Sequence, residues 1–336
     1  MLLLVVLGGG SVVPAARAAD APQAPPALAA SAPTPAVVPP ALQALEQKLA
    51  QIRFNSLRYS TRLDLGIQDS AHSNGISIST AASTRHVVIS TSGVLGLSPL
   101  LLSSTSTSEG VARGEALGGV AVKERRIGRT TYVYDPSVTR HDGGRPWIRS
   151  VRSRSEERLA AKLVPLTAAL DPVLAGLEIP AAASTGPFGP LLEVLGAALS
   201  IQETGPATVD GQQTLAFTAT LSSARLLERI LSAKERRRVA KGKQLPDTHF
   251  TLEVWLAPSG LPVRTVTTND KRDEEFSSQE DILALEVPVV VHAPPVRQTI
   301  GQTHWLKIEK QRARAIGRCV RRHPRRAQSC IKRGAG

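Results

Sequence analysis

The chain of 336 residues is poor in aromatic side chains, methionine and cysteine. Aromatic residues make up 3% of the sequence, the one methionine is Met1, and there are two cysteines. Proteins that hold sugars or single-stranded nucleic acid commonly stack the ligand on aromatic rings, so the low aromatic content argues against both classes. A folded core in this chain must be built from Leu, Val, Ile and Ala.

The sequence motifs of common enzyme classes are also missing. The chain has no G-x-S-x-G nucleophile motif, no H-E-x-x-H zinc motif and no G-x-x-x-x-G-K-[ST] phosphate loop. The seven histidines are scattered between residues 72 and 323 without the spacing of metal ligands. We therefore predict a protein that is not an enzyme and that needs no metal or other cofactor.

The N-terminal region lacks an apolar run of the ~20 residues that cross a bilayer. Met1 to Leu7 is a short apolar run, and Ala16-Arg17-Ala18 is a pattern that signal peptidase accepts. We predict a signal peptide over residues 1–19 and a soluble, extracytoplasmic mature protein; an ordinary apolar N-terminus is the alternative. Residues 20–40 are rich in Ala and Pro and predict a semi-rigid spacer, for which a wall-crossing tether and low-complexity filler both fit.

The positive charge of the chain is concentrated at its C-terminal end. Eleven basic residues and one acid lie between Lys307 and Arg333, which accounts for most of the formal net charge of +13. Two interpretations of this basic tail, residues 301–336, stay open. It could bind anionic lipid head groups or wall polymers outside the cell, or it could be a solvated segment that improves solubility. Nucleic acid is a poor third target because an exported protein rarely meets it.

Both cysteines, Cys319 and Cys330, lie in this tail. In an oxidising compartment, two nearby cysteines and no others are most simply paired as one disulfide. Only His323 lies near them, which is too few ligands for a zinc site. The closed loop would present a compact group of arginines to an anionic surface, namely Arg321, Arg322, Arg325 and Arg326.

The residues after the spacer show helical and strand periodicity, and we predict that residues 41–300 form one domain. Leu42, Leu45, Leu49 and Ile52 recur at helical spacing and predict the first helix. Further strands are predicted at 57–67, 76–78, 86–89, 130–134, 147–151 and 282–291, a helical segment at 159–177, and a loop at 92–110.

Two hairpins are predicted from alternation and turn residues. In residues 249–266, Leu252, Val254 and Leu256 alternate with polar residues, so one face is apolar and Trp255 lies on the opposite face. The second hairpin, over residues 207–221, turns at Asp210-Gly211, a strong turn signal. Ser222 or Ser223 then caps a helix.

Residues 191–199 predict a short helix that is apolar almost all round and must therefore be covered. The order of elements is helix, strands, an apolar helical block, strands, a helix and more strands. An antiparallel sheet with helices segregated to one face accommodates that order, which is the α+β class.

Four segments resemble the actinobacterial LppX and LprG type lipoproteins, relatives in fold of the periplasmic LolA and LolB carriers: GRPWIRS, GPATVDGQQTLAFTATL, EVWLAPSGLPVRTV and VPVVVHAPP. The resemblance covers residues 41–300. It implies a strongly curved antiparallel half-barrel whose concave face is covered by helices and encloses an apolar cavity for acyl chains. The apolar helix at 190–200 would be a lid over that cavity, with a plain core helix as the alternative.

Under this resemblance, the residues expected to line the cavity or its lid are Leu191, Leu192, Val194, Leu195, Leu199, Leu252, Val254 and Leu256. The chain departs from the family because residues 12–20, VVPAARAAD, contain no lipobox cysteine, so a lipid anchor is not expected. Two functions stay open. One is a monomeric carrier that shields the acyl chains of a lipid or acylated glycolipid in the cell envelope. The other is an envelope sensor that uses the same fold to modulate a protein partner.

Overall fold

The computed structural model describes residues 40–68, 84–112, 115–117, 121–134, 144–157, 187–232, 236, 247–269, 276–322 and 329. These residues belong to one compact unit. The helices are α1 (Pro40–Gln51), α2 (Gly189–Leu195), α3 (Ser223–Ile230) and α4 (Gln302–Arg322). The strands are β1 (Ser56–Gln68), β2 (Thr84–Leu97), β3 (Leu100–Ala112), β4 (Glu115–Leu117), β5 (Val122–Ile127), β6 (Thr130–Tyr134), β7 (Trp147–Val151), β8 (Ser200–Val209), β9 (Gln212–Ser222), β10 (His249–Leu256), β11 (Pro262–Asn269), β12 (Phe276–Leu285) and β13 (Thr299–Gly301).

All of these strands belong to one sheet, in the order β13-β7-β6-β5-β3-β2-β1-β12-β11-β10-β9-β8, with β4 paired to β3. The strand pairs are antiparallel except for β13 with β7, which is parallel. Among the described residues, β8 and β13 form the two edges and do not pair with each other, so the sheet is open. The predicted antiparallel sheet with helices is confirmed at this level, while the strong curvature and the helices over a concave face stay predictions.

One face of the sheet, which we call the inner face, carries the hydrophobic core. Leu45 and Leu49 of α1, one turn apart, pack into it as the helical spacing predicts. Leu226 of α3 joins them, and so do strand residues such as Leu57 and Phe217. Burial of this apolar surface, at about 25 cal/mol per Å², holds three helices against the strands.

The turn and cap predictions are confirmed. Asp210 and Gly211 have φ values of 50° and 83°, the left-handed pair that a tight hairpin turn requires. They join β8 to β9. Ser222 is the N-cap of α3, and its side chain accepts a hydrogen bond from the backbone N–H of Arg225.

The prediction of a loop at residues 92–110 is wrong. This segment holds the end of β2 and most of β3, which pair along their whole length around a turn at Ser98-Pro99. Its Ser, Thr and Gly content suggested a loop, but pairing with a neighbour on each side supplies hydrogen bonds that composition does not show. The charged strand β5, Val122–Ile127, was not predicted for a similar reason.

The prediction of a strand at residues 282–291 is correct only for its first part. Strand β12 ends at Leu285, and residues 287–295 lie outside any strand. Glu286 has a φ of 51°, which breaks the extended backbone, and its carboxylate accepts a hydrogen bond from the backbone N–H of Asn55. The apolar run VPVVV therefore leaves the sheet.

Several predictions fall outside the described residues: the signal peptide, nearly all of the spacer, the strand at 76–78 and the helical segment at 159–177. They stay predictions, as do the domain boundaries. None of the helices in the described part of the chain is both long and apolar enough to span a membrane.

Candidate ligand-binding face

The structure brings most of the predicted cavity residues together in the core. Leu191, Val194 and Leu195 of α2 are fully buried in the same cluster as three residues of β10. Leu192 packs against that cluster from a partly buried position, whereas Leu199 is 42% exposed. The three core residues of β10 are Leu252, Val254 and Leu256.

Leu199 is separated from the others because helix α2 is shorter than predicted. The helix ends at Leu195, and the backbone N–H of Gly196 bonds to the carbonyl of Leu192. The guanidinium of Arg229, from α3, donates to the carbonyl of Gly196 and so supplies a hydrogen-bond partner for a free backbone carbonyl at the C-terminal end of α2. Leu199 already pairs with β9, since its N–H donates to the carbonyl of Thr220.

A row of polar side chains crosses the inner face next to this core, and we call it the polar belt. Cross-strand register places Thr265, Glu280, Thr61, Thr91 and Ser106 side by side on five neighbouring strands. The Thr265 hydroxyl donates to the Glu280 carboxylate at 3.3 Å, and the hydroxyls of Thr91 and Ser106 are 2.8 Å apart. Buried polar groups are costly unless they are hydrogen-bonded, so the belt interrupts what would otherwise be a continuous apolar face.

Thr267 lies on the same face of β11, two residues beyond the belt. Its side chain is fully buried, and among the described residues its hydroxyl has no hydrogen-bond partner. A buried hydroxyl in this state costs free energy, because it has lost its hydrogen bonds to water and has not replaced them with hydrogen bonds to protein. A bound molecule would reach this hydroxyl only if the groups that cover it moved.

Beyond the polar belt the inner face becomes apolar again, and we call this part the apolar wall. Leu63 and Leu65 of β1 lie opposite Ile89 and Val87 of β2, and Leu65 also lies opposite Phe276 of β12. All five side chains are half-buried, and none belongs to the core cluster. The period-two pattern of β1 is visible in the sequence, but it did not distinguish these residues from the core residues on the same face.

The outer face of the sheet is more polar. Trp255 lies opposite Arg264 and Ala216 on this face, as predicted, and packs against a small separate cluster that contains Val263. Arg264 forms ion pairs with Asp281 and Asp210, which tie the tip of the β8–β9 hairpin to β12. These contacts explain how the hairpin is held in place.

A cleft of about 360 Å³ lies at the end of β1, β11 and β12. Its lining includes two charged side chains, Arg62 and Asp64, together with amide and hydroxyl groups. Ligand pockets for apolar chains are lined mainly by hydrophobic side chains, and six of the seven residues that line this cleft are polar or charged, so it does not match the predicted apolar cavity. The remaining lining residues are Thr268, Asn269, Phe276, Ser277 and Gln279.

Two further charged groups lie on the inner face of β5. Burial raises the pKa of the Glu124 carboxyl, and the charge of Arg126 opposes that shift. Arg126 is itself buried, and its Nε donates to the carbonyl of Gly128 at 3.1 Å. The described residues contain no group of three His, Cys, Asp or Glu that could hold a metal ion.

The basic tail contains a helix that was not predicted. Helix α4 covers the first 21 residues after Gly301, and Arg321 and Arg322 are exposed in its last turn. Cys319 lies in this helix and is not a free thiol. Its predicted partner lies outside the described residues, so the pairing stays a prediction. The undescribed members of the predicted set are Cys330, Arg325 and Arg326.

No family model and no curated protein matches this chain. Among solved structures, the lipoprotein LppX from Mycobacterium tuberculosis is 19% identical with a TM-score of 0.40, over 76% of this chain and 100% of that chain. LprF from Mycobacterium bovis is 14% identical with a TM-score of 0.38, over 76% and 97%. A putative outer membrane lipoprotein-sorting protein domain from Vibrio parahaemolyticus is 9% identical with a TM-score of 0.20, over 74% and 93%. Similarity at this level carries no conclusion about function.

Proposed function

We propose that this protein binds the acyl chain of a lipid or acylated glycolipid along the apolar wall and carries it outside the cytoplasm. The observation that carries the proposal is the position of the wall: five half-buried aliphatic and aromatic side chains on the helix-bearing face of the sheet, outside the packed core. Each methylene group removed from water contributes about 0.8 kcal/mol, so a long chain binds such a surface without specific polar contacts.

The polar belt favours an amphiphile over a plain hydrocarbon. Hydroxyl and carboxylate groups lie directly beside the apolar wall, and the buried Thr267 hydroxyl has no hydrogen-bond partner in the described structure. A ligand whose head group lay along this row and displaced the groups that cover Thr267 would satisfy that hydroxyl while its chain covered the wall. Chain length would be selected by the extent of the wall, and the head group by the belt.

The other parts of the proposal follow from the sequence. The signal peptide would export the protein, the spacer would separate the domain from its point of export, and the protein would act as a monomer without a lipid anchor. The carrier would perform no covalent chemistry and would need no cofactor. The basic tail would hold it near an anionic surface.

Extraction of the purified protein with organic solvent, followed by lipid mass spectrometry, tests the proposal. Two adjacent residues of β2 provide a matched pair, because both are half-buried but face opposite sides of the sheet. Ile89→Arg places a charge on the apolar wall and should abolish co-purification of acyl species. Val88→Arg places the same charge on the outer face and should leave the lipid content unchanged.

Circular dichroism and the thermal midpoint show whether both variants fold. If Ile89→Arg unfolds, Ile89→Ser is the milder replacement and should lower the lipid content of a folded protein. Equal lipid content in the two arginine variants would refute the proposal. A folded wild-type protein that yields no acyl species and retains a protein partner would favour the sensor interpretation.

A further inference from the structure

Helix α4 combines a dense positive charge with an apolar stripe. Its 21 residues include seven Lys or Arg and one acid. Trp305, Ile308, Ile316 and Val320 recur at spacings of three, eight and four residues, which places them along one side of a helix. By the same spacing, six of the seven basic residues fall on the opposite side, so the helix is amphipathic and basic.

The apolar stripe of α4 does not pack into the hydrophobic core. Its four residues are half-buried, and none of the described side chains of α4 is fully buried. Leu306, next to the stripe, is 51% exposed. A helix of this composition inside a soluble domain would normally bury its apolar side. Here that side is left partly in contact with solvent.

The start of α4 is fixed to the sheet. The helix follows directly after β13, the edge strand that pairs with β7, and Ile300 in that strand is 2% exposed. Helix α4 contacts β7 and β13. A 21-residue helix is roughly 30 Å long. A long basic helix is therefore presented from one edge of the domain.

We propose that α4 lies in the interface of an anionic lipid bilayer, with the apolar stripe inserted among the acyl chains and the basic residues at the head groups. Basic amphipathic helices with aromatic and aliphatic residues on one side bind membranes through burial of that apolar side and through electrostatic attraction to anionic lipids. Charge alone would equally suit nucleic acid or a wall polymer, but neither gives the apolar stripe a partner. This proposal rests on the proposed attachment of the basic tail to an anionic surface and gives its physical basis. Because neither the apolar wall nor the polar belt includes a residue of α4, membrane binding by α4 and acyl-chain binding along the wall can fail separately.

Co-sedimentation of the full chain with phosphatidylcholine vesicles, with and without phosphatidylglycerol, measures the binding. The triple variant Lys310→Gln, Arg314→Gln and Arg318→Gln should weaken binding to anionic vesicles by more than about tenfold, since each basic residue near such a surface contributes on the order of 1 kcal/mol. A control variant replaces Arg58, Arg225 and Arg297 with Gln. These arginines are exposed outside α4, so the control removes the same charge and should bind nearly as the wild type does.

Insertion is tested separately from charge. The variant Ile308→Gln and Ile316→Gln keeps every basic residue and should still lose most binding at physiological salt. The tryptophan emission should shift to the blue when anionic vesicles are added, and Trp305→Phe should remove that shift while the protein still sediments with the vesicles.

Three outcomes overturn the proposal. They are unchanged binding of the triple glutamine variant, unchanged binding of the double isoleucine variant, and binding to DNA without binding to anionic vesicles. Circular dichroism confirms that each variant is folded. If the double isoleucine variant does not fold, the Trp305 emission shift in the wild type decides the question.

Discussion

Replacement of Leu191 by alanine tests whether α2 is part of the packed core. The sequence gives Leu191 and Leu199 the same role in one apolar helix, but the structure separates them: Leu191 has 0% exposure in the core cluster and Leu199 is 42% exposed beyond the helix end. Leu191→Ala and Leu199→Ala are therefore a matched pair with different expected costs.

The magnitude follows from burial. Truncation of a fully buried leucine removes the transfer free energy of its methyl groups and leaves a cavity, with a typical cost of about 2–5 kcal/mol. Truncation of a half-exposed leucine at the start of an edge strand should cost less than about 1 kcal/mol. The difference between the two variants should be at least about 2 kcal/mol in the free energy of unfolding.

Urea titration followed by tryptophan fluorescence measures both values. Trp147 is buried, so its emission should report unfolding of the sheet. The midpoint should fall clearly for Leu191→Ala and hardly at all for Leu199→Ala, with the slope of the transition unchanged in both. A cost below about 1 kcal/mol for Leu191→Ala would refute the core assignment of α2 and would favour the predicted lid, a helix that opens without loss of the fold.

Three further predictions concern charged groups. Hydrogen bonds, first from the Ser222 hydroxyl, lower the pKa of Asp247, so its contribution to stability is present above the ordinary aspartate range and is lost as the pH falls. Acid titration of the wild type and Asp247→Asn should show that the difference between their free energies of unfolding shrinks at low pH. Burial raises the pKa of the Glu124 carboxyl, so the folded protein loses stability as the pH rises through the glutamate range. The thermal midpoint of Glu124→Gln should therefore be higher than that of the wild type at neutral pH, but not at acidic pH. Arg264→Ala should lower the free energy of unfolding by about 1–3 kcal/mol in urea titration, because it removes an ion pair from the largely buried Asp281, and a cost near zero would contradict that role.

The most reliable sequence predictions were the ones that depend on local chemistry. The Asp210-Gly211 turn, the Ser222 cap and the alternation of β10 are all present, because the left-handed backbone, the free N–H groups of a helix start and the two faces of a strand impose residue types locally. The predictions that failed depended on distant partners. Composition pointed to a loop at 92–110 and to a strand through residue 291, whereas pairing with β1 and β5 and the backbone of Glu286 decided otherwise.

The candidate site shows the same division. Seven of the eight predicted cavity residues lie in or against one cluster, because large aliphatic side chains are buried wherever the sheet has an apolar face. The apolar wall and the polar belt could not be separated from the core in advance. Leu57 and Leu63 have the same residue type and the same face of β1, and only their neighbours differ: Leu57 is covered by the core, and Leu63 is half-buried.

The sequence by itself determined the strand faces, the turns and caps, and the concentration of charge near the C-terminus, since each depends on residues close together in the chain. The core was not determined in this way: it includes Phe188 and Phe217 beside the expected aliphatic residues. Only the tertiary structure decided which apolar residues are packed and which are left at the surface of a wall, because that depends on the order of strands in the sheet and on which helix covers each part of it. It also decided that much of the basic tail is a helix with a half-buried apolar stripe, which follows directly after the edge strand β13.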